Sequence, residues 1–245
     1  MTLRVIATAW ITPAGRDGEL AASPNRGVRR NPLSGVEYPC LEPRPEDYAD
    51  ATRLPRLRRS STISHLAVSA ALAAVNGADA SDWGLVFASA DGGIIYTRKF
   101  FDPIAETNPG AGSPLLFPET VYNAPASHIA AVLGITGTVL TVAGDAHAGT
   151  RALAAAEQLL RAQVCRTCLV VAAQEVDWIM SEAEAAFGQT RLPAEGAAAL
   201  VVSLTEGSPL PAEPADVSFL GNCRGVSPLW GWIRGLRLTS PEGRR

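Results

Sequence analysis

The residues best placed for chemistry lie in a turn of small residues, 143–149 (Ala-Gly-Asp-Ala-His-Ala-Gly). An apolar run at 137–142 predicts a strand before the turn, and an Ala- and Leu-rich run at 150–163 predicts a helix after it. A sharp turn between strand and helix can present a nucleophile, while the helix N-terminus offers N–H groups to an anionic intermediate. This turn contains no Cys or Ser, and its titratable residues are Asp145 and His147. It therefore has the shape of a nucleophile site but lacks the nucleophile.

Few titratable residues are candidates for a catalytic role, in the turn or elsewhere in the chain. Capping and the helix dipole account for Asp145. His147 fits a hydrogen-bonded structural histidine better than a base acting on a bound thioester, although both interpretations stay open. His65 and His128 fall in apolar helical patterns, and we expect structural roles for both. Lys99 is the only lysine and therefore the only candidate for Schiff-base chemistry.

Four cysteines do not form a disulfide framework in a chain of this length. Cys165 and Cys168 make a single C-x-x-C, whereas Cys40 and Cys223 stand alone. A structural zinc site needs a second ligand pair, and none of the three histidines lies at a suitable spacing. We expect Cys165 and Cys168 to be small apolar residues between a helix and a strand, and we expect neither a metal nor a cofactor.

Predicted strands and helices alternate along the chain, and together they would position this turn. Apolar runs predict strands at 3–11, 83–89, 137–142, 167–174 and 197–204, and helical spacing predicts helices at 61–75, 126–133 and 150–163. The strand runs are continuously apolar, which favours a mostly parallel sheet covered by helices on both faces. We also expect an irregular Pro-rich loop at 16–59, a loop around one short helix at 96–118, a last strand at 216–221, and a tail containing Trp230 and Trp232.

Composition excludes several classes of protein. With 47% hydrophobic and 18% charged residues among 245, the chain is neither disordered nor unusually charged. A net charge of −3 argues against a general nucleic-acid binder. No apolar run is long enough to span a membrane, and the run at 5–11 is too short for a secretory signal. We therefore expect a soluble cytoplasmic protein.

Four segments, in order along the chain, resemble the N-terminal half of a β-ketoacyl synthase of the thiolase-like superfamily. They are Arg58-Arg59-Ser60 before a helix; Ser113-Pro114 and Phe117-Pro118 followed by residues 121–126; Gly134 to Gly137 with Thr141-Val142; and Glu195-Gly196-Ala197-Ala198. The resemblance implies an α/β, thiolase-like half-fold. We expect residues 1–205 to form this domain and residues 206–245 a C-terminal extension with one further strand.

The departures from the family pattern bear on activity. Placing Thr141-Val142 and Gly149 on that pattern without a gap puts Ala146 where the family carries its acylated cysteine. Alanine has no electron pair with which to attack a thioester. The family's two catalytic histidines and its glycine-rich loop belong to a C-terminal half that we expect to be missing. We therefore expect no catalysis by this chain alone.

Chain-length-factor subunits are inactive relatives of this kind, and a short class of them occurs with aryl-polyene and related fatty-acid-like pathways. The resemblance implies a non-condensing partner of a catalytic ketosynthase in fatty-acid, polyketide or polyene synthesis, the pair forming a β-ketoacyl-acyl-carrier-protein synthase. Open alternatives are a decarboxylase or hydrolase that acts on thioesters through His147 or Asp145, and a stand-alone homodimeric binding protein.

Two surfaces are candidates for partner contacts. Arg53, Arg56, Arg58 and Arg59 precede a predicted helix N-terminus, where positive charge opposes the dipole, so they are either a docking site for an acidic acyl carrier protein or a solvated or internally paired run. The resemblance also implies a dimer seam, because in this superfamily the strand after the helix at 150–163 pairs across the dimer two-fold. We therefore expect the strand at 167–174 to have an unpaired apolar edge and to form the seam of a homo- or heterodimer, through Thr167, Leu169, Val170 and Val171.

Overall fold

A mixed β-sheet with helices packed on both faces forms the centre of the molecule. The computed structural model describes residues 2–17 and 23–239. The strands of the described residues are β1 (Arg4–Thr12), β2 (Gly15–Arg16), β3 (Arg26–Arg30), β4 (Glu37–Leu41), β5 (Gly84–Ser89), β6 (Val139–Ala143), β7 (Cys168–Gln174), β8 (Gly196–Ser203) and β9 (Ser208–Pro209). The α-helices are α1 (Ala49–Thr52), α2 (Thr62–Val75), α3 (Ile94–Glu106), α4 (Ala124–Leu133), α5 (Ala148–Arg161), α6 (Trp178–Ala186) and α7 (Ser227–Thr239).

The central sheet has the strand order β2-β1-β8-β7-β5-β6, with β9 also paired to β1. β5 runs parallel to both β6 and β7, whereas β8 runs antiparallel to β7 and β1. The helix α5 connects β6 to β7 across one face, and α2 packs on the other face against β1, β7 and β8. The predicted α/β class, with helices on both faces of the sheet, is confirmed, and the sheet is mixed, since the parallel pairings of the described strands are those of β5 with β6 and β7.

The continuous apolar runs are explained by burial on both faces of the sheet. All residues of β5, β7 and β8 are buried, and successive side chains point into opposite layers. In β7, Cys168, Val170 and Ala172 join the core beneath α5 and α7, while Leu169, Val171 and Ala173 join the core beneath α2 and α4.

The expectation of an irregular loop at 16–59 is wrong in its middle. β3 and β4 form an antiparallel hairpin, and α1 and two 3-10 turns follow it. Pro39 is accommodated because a two-stranded ribbon leaves each strand with an unpaired edge. Arg29 secures the hairpin to the core, since its guanidinium donates to Glu195 at 2.6 Å and to Glu42 at 2.7 Å. Residues 18–22 of the expected loop lie outside the described residues.

Three further expectations are corrected. The loop predicted at 96–118 begins with the 13-residue helix α3, which continues past Pro103. The strand predicted at 216–221 is a 3-10 turn, Ser218–Leu220, and the C-terminal segment instead contributes the two-residue strand β9. The Trp-containing tail is helical, as α7, and buries Trp230, whose indole N–H donates to the Ala197 carbonyl. Residues 240–245 of that extension lie outside the described residues.

The strand chosen as a dimer seam has no free edge. β7 pairs with β5 on one side and β8 on the other, so Leu169, Val170 and Val171 are buried inside the sheet. Thr167 precedes the strand, and its carbonyl accepts the Gly84 N–H. The expectation of an unpaired apolar edge there is wrong. Among the described strands, the apolar strand at the open end of the sheet is β6, where Val139 and Leu140 are each 39% exposed.

Candidate functional site

The predicted turn lies where the parallel strands end. Residues 143–149 follow β6, residues 90–93 follow the neighbouring β5, and α6 follows β7, so all three segments meet at the carboxyl edge of the parallel part of the sheet. Ligand sites of α/β sheets form at this edge, because the connections to the helices leave crevices there. The position of the turn is that of a functional site.

Within the turn, Asp145 is occupied by local contacts. Its carboxylate accepts the His147 N–H at 2.8 Å and the Arg151 guanidinium at 3.0 Å. These contacts, the backbone N–H foremost, hold the pKa of Asp145 below its ordinary value. The His147 imidazole lies beside it, with Nδ1 at 3.4 Å from the carboxylate, and is 74% exposed. The carboxylate is shared with the His147 N–H and Arg151 and both side chains are exposed, so the turn lacks the buried, hydrogen-bonded Asp–His pair that activates a general base.

Close packing fixes the end of the turn. A Cβ on Gly149 would stand 2.3 Å from the Gly225 carbonyl oxygen and 3.1 Å from a Leu229 side-chain atom. Only glycine lets the first turn of α5 approach the segment before α7 so closely. This explains why the turn ends in glycine.

Ala146 lines an open cavity of about 600 Å³. The other lining residues come from the loop after β5, from α6 and the residues after it, and from the segment before α7: Asp91, Ile179, Met180, Ala183, Glu184, Phe187, Gln189, Asn222 and Arg224. One part of the lining is apolar, from α6, and the other is polar. Ala146 itself is exposed, so a nucleophile at this position would face the cavity, and alanine leaves it without one.

An ion pair lies on the polar side of this cavity. Arg224 donates to both carboxylate oxygens of Asp91, at 2.9 and 3.1 Å. Burial raises the pKa of Asp91 even though Arg224 opposes the shift. Burial also raises the pKa of Glu184, which accepts from Asn222 through one oxygen, while its other oxygen is buried without a hydrogen-bond partner in the described residues. These groups carry no signal in the sequence, because 133 positions separate the two ion-paired residues.

The remaining histidines and the lysine lie away from the cavity lining. His65 contacts the Leu57 carbonyl at 2.7 Å, and His128 contacts the Glu119 carboxylate at 2.6 Å. Lys99 is exposed on α3, with its ammonium 5.1 Å from the centre of the Tyr96 ring. None of the three lines the cavity beside Ala146.

Two buried carboxylates, Glu175 and Glu195, connect the elements around the site. Glu175, at the end of β7, accepts the backbone N–H groups of Ile63 and Ile95, which lie in the first turns of α2 and α3. Glu195 accepts from Arg29 and from the Val176 N–H. The segment Glu195-Gly196 was part of the sequence resemblance, but its partner Arg29 lies 166 positions away, and the sequence carries no signal for that pairing.

The four arginines before α2 lie on the surface. Arg53, Arg56, Arg58 and Arg59 are all exposed, while Leu57 between them is fully buried and fixes the segment to the core. No acidic side chain of the described residues pairs with any of the four. The four arginines are therefore not internally paired in the described residues. A docking site and a solvated run remain as interpretations.

The described ranges contain no cluster of three or more His, Cys, Asp or Glu side chains that could hold a metal ion. All four cysteines are buried as free thiols. Over the same residues, no helix combines the length and the apolar character required to cross a bilayer.

Solved structures share this fold. The chain is similar to the ishigamide ketosynthase/chain length factor, with a TM-score of 0.67 and 17% identity, covering 86% of this chain and 64% of that chain. It is similar to a β-ketoacyl synthase from Burkholderia phymatum STM815, with a TM-score of 0.69 and 15% identity, covering 82% of this chain and 59% of that chain. The chain thus spans less than two thirds of the length of each.

A third similar structure is a ketosynthase (ApeO) in complex with its chain length factor (ApeC) from Xenorhabdus doucetiae. Here the TM-score is 0.61 and the identity 19%, covering 86% of this chain and 82% of that chain. No curated protein sequence matches the chain. At these identities the likeness establishes the fold, which is that of the thiolase-like ketosynthases.

The family itself is established by sequence. The family described as beta-ketoacyl synthase, N-terminal domain, matches residues 40–217, more than half of the chain. The match includes every strand of the parallel part of the sheet and the turn that carries Ala146. The chain is a member of the β-ketoacyl synthase N-terminal domain family.

Proposed function

We propose that the chain is a non-condensing ketosynthase-like subunit of the chain-length-factor type. It would pair with a catalytic β-ketoacyl synthase in fatty-acid, polyketide or polyene biosynthesis, and aryl-polyene-type pathways are the nearest class. The observation that carries the proposal is that Ala146, which the sequence resemblance aligns with the family's acylated cysteine, lines the cavity at the end of β6. Without a nucleophile, acyl transfer through a covalent intermediate on this chain has no first step.

The open edge of β6 supports the pairing. The strand Val139–Ala143 carries no charged residue, and one side of it pairs with β5. An exposed, uncharged apolar edge offers unpaired N–H and C=O groups to another strand and is a liability in a free monomer. A partner that adds a strand to β6 would extend the sheet and cover Val139 and Leu140.

Lysine on this edge tests the pairing, because a charged side chain discourages strand addition. We expect Leu140→Lys to abolish co-purification with a co-expressed ketosynthase encoded beside this chain's gene. Val28→Lys is the control, since Val28 is also an exposed apolar strand residue, in the hairpin, and is 53% exposed against 39% for Leu140. Undiminished co-purification of Leu140→Lys would contradict a β6 seam.

The four exposed arginines before α2 would bind the acyl carrier protein. Acyl carrier proteins are acidic and carry a phosphate, and guanidinium groups bind carboxylate and phosphate well. We expect Arg56→Glu/Arg59→Glu to weaken binding of the pathway's acyl carrier protein about tenfold, with less effect at high salt. Arg26→Glu/Arg30→Glu, on the exposed face of the hairpin, is the control of equal charge change. Equal weakening by both pairs would show a general charge effect instead of docking.

The thioester-acting alternative depends on His147 and Asp145. Because His147 and Asp145 are both exposed and the Asp145 carboxylate is paired with Arg151, the observations favour the non-condensing subunit. Incubation of the purified chain with malonyl or acyl thioesters separates the two. We expect no turnover; turnover that disappears in His147→Ala would support the enzyme instead.

A further inference from the structure

Cys165 and Cys168 meet above one glycine. The chain leaves α5 at Arg161 and enters β7 at Cys168, and in between it turns both sulfurs toward Gly84 at the start of β5. A Cβ on Gly84 would stand 2.8 Å from the Cys165 sulfur and 3.4 Å from the Cys168 sulfur. The two sulfurs therefore share one small space, which exists because residue 84 has no side chain.

One of the two thiols borders a cavity, although both cysteines are largely buried. Cys165 lines a cavity of about 690 Å³, together with Leu160, Gln163, Arg166, Thr167 and the turn 203–206. Cys165 is 8% exposed, whereas Cys40, Cys168 and Cys223 are completely buried. Of the four cysteines, it is the one that a reagent entering this cavity would contact first.

The same contact makes the two thiols unequal. The closeness of the two sulfurs lowers the pKa of Cys165, and the same closeness together with burial raises the pKa of Cys168. The thiolate is the nucleophile in thiol–disulfide exchange. Cys165, the more accessible thiol, is thus also the one that ionises more easily. Cys168 is buried beside it, where it can react with the Cys165 sulfur in a second step.

We propose that Cys165 and Cys168 form a thiol–disulfide exchange site that reacts with low-molecular-weight disulfides such as oxidised glutathione. The Cys165 thiolate attacks one sulfur of the reagent, the reagent's S–S bond breaks, and one glutathione thiolate leaves. Cys168 then loses its proton and attacks the Cys165 sulfur; the mixed disulfide breaks and a second glutathione thiolate leaves. The two protein thiols are oxidised to one disulfide, the reagent is reduced to two glutathiones, and these take up the two protons.

Metal binding is the less favoured use of this pair. Two thiolates are half of the four ligands that a structural zinc ion takes, and the described residues provide no group of three ligating side chains. A disulfide needs only the two sulfurs that the structure brings together. This inference does not depend on the proposed pairing with a ketosynthase.

Peptide mapping of the whole protein tests the site, because Arg166 lies between the two cysteines. The reduced chain is incubated at neutral pH with excess oxidised glutathione, quenched with acid, blocked with N-ethylmaleimide and digested with trypsin. We expect peptides 162–166 and 167–191 to be recovered joined by a disulfide, and both alkylated forms to be lost. Dithiothreitol should restore them.

Single variants test the order of attack. We expect Cys168→Ser to stop at a glutathione adduct on Cys165, Cys165→Ser to leave Cys168 unmodified, and Cys40→Ser to keep the joined peptides. Two separate alkylated peptides from the oxidised wild-type chain would overturn the proposal. A wild-type chain that accumulates only the glutathione adduct on Cys165 would overturn it as well, since Cys168 would then not resolve that adduct.

Discussion

At the scale of residues, long-range polar pairs determine which parts of the chain meet. The Arg29 guanidinium enters from the hairpin, donates to the buried Glu195, and uses its Nε for the Val176 carbonyl. Burial raises the pKa of Glu195 although Arg29 opposes the shift, so the carboxylate depends on its partner to stay ionised. A buried charge that loses its partner is far costlier than an exposed one.

Arg29→Leu should therefore destabilise the fold by about 3 kcal/mol, because it leaves Glu195 buried and unpaired. Urea unfolding measures the change in unfolding free energy. Arg26→Leu, on the same strand but exposed, should change it by less than about 0.5 kcal/mol. Equal effects of the two substitutions would mean that Arg29 contributes no more than a surface residue.

The position of Ala146 can be tested without any assay of function. We expect Ala146→Cys to add one thiol that reacts rapidly with iodoacetamide, because residue 146 is exposed and lines an open cavity. Cys40 and Cys223 are completely buried and serve as internal controls for slow labelling. An introduced thiol as protected as these two would place residue 146 elsewhere.

At the scale of elements, Glu175 joins the N-termini of two helices. Its two oxygens accept the N–H groups of Ile63 in α2 and Ile95 in α3, where the helix dipoles favour negative charge. Complete burial nevertheless raises the pKa of Glu175 from 4.5 to about 7, with a smaller contribution from Glu195. The carboxylate thus holds the helices in place while remaining easy to protonate.

The raised pKa of Glu175 predicts a pH dependence of stability. The folded state binds this proton more tightly than the unfolded state, so the stabilisation is complete below pH 4.5 and is lost as the pH rises through about 7. In Glu175→Gln, this loss, of about 3 kcal/mol, should disappear from the curve of unfolding free energy against pH. Glu106→Gln, exposed at the end of α3, should leave the curve unchanged. Parallel curves for Glu175→Gln and wild type would contradict the assignment.

Elements differ in how far the sequence predicts them. The buried strands β5, β7 and β8 match their predicted runs closely because burial on both faces demands unbroken apolar sequence. The hairpin was missed and the helix at α3 was expected to be short, because charges and prolines, such as Pro39 and Pro103, favour loops locally, while tertiary contacts decide the outcome. The turn at 143–149 was predictable, but its cavity was not, since its walls come from loops far apart in the chain.

At the scale of the whole molecule, one sheet separates two cores and ends in an open strand. The described part of the C-terminal segment is continuous with one core, because Leu229, Trp230 and Ile233 pack in the same cluster as Leu200 of β8. We propose residues 1–205 as the ketosynthase-like half and 206–245 as its extension. The opposite end of the sheet leaves β6 uncovered in the described structure, and an oligomer would cover it.

The most direct test of the account is native mass spectrometry of the wild-type chain, alone and co-expressed with the ketosynthase encoded beside its gene. We expect a homodimer or an aggregate from the chain alone and a 1:1 heterodimer after co-expression, because the open edge of β6 is available to a partner strand. A stable homodimer that persists in the presence of the ketosynthase would contradict it.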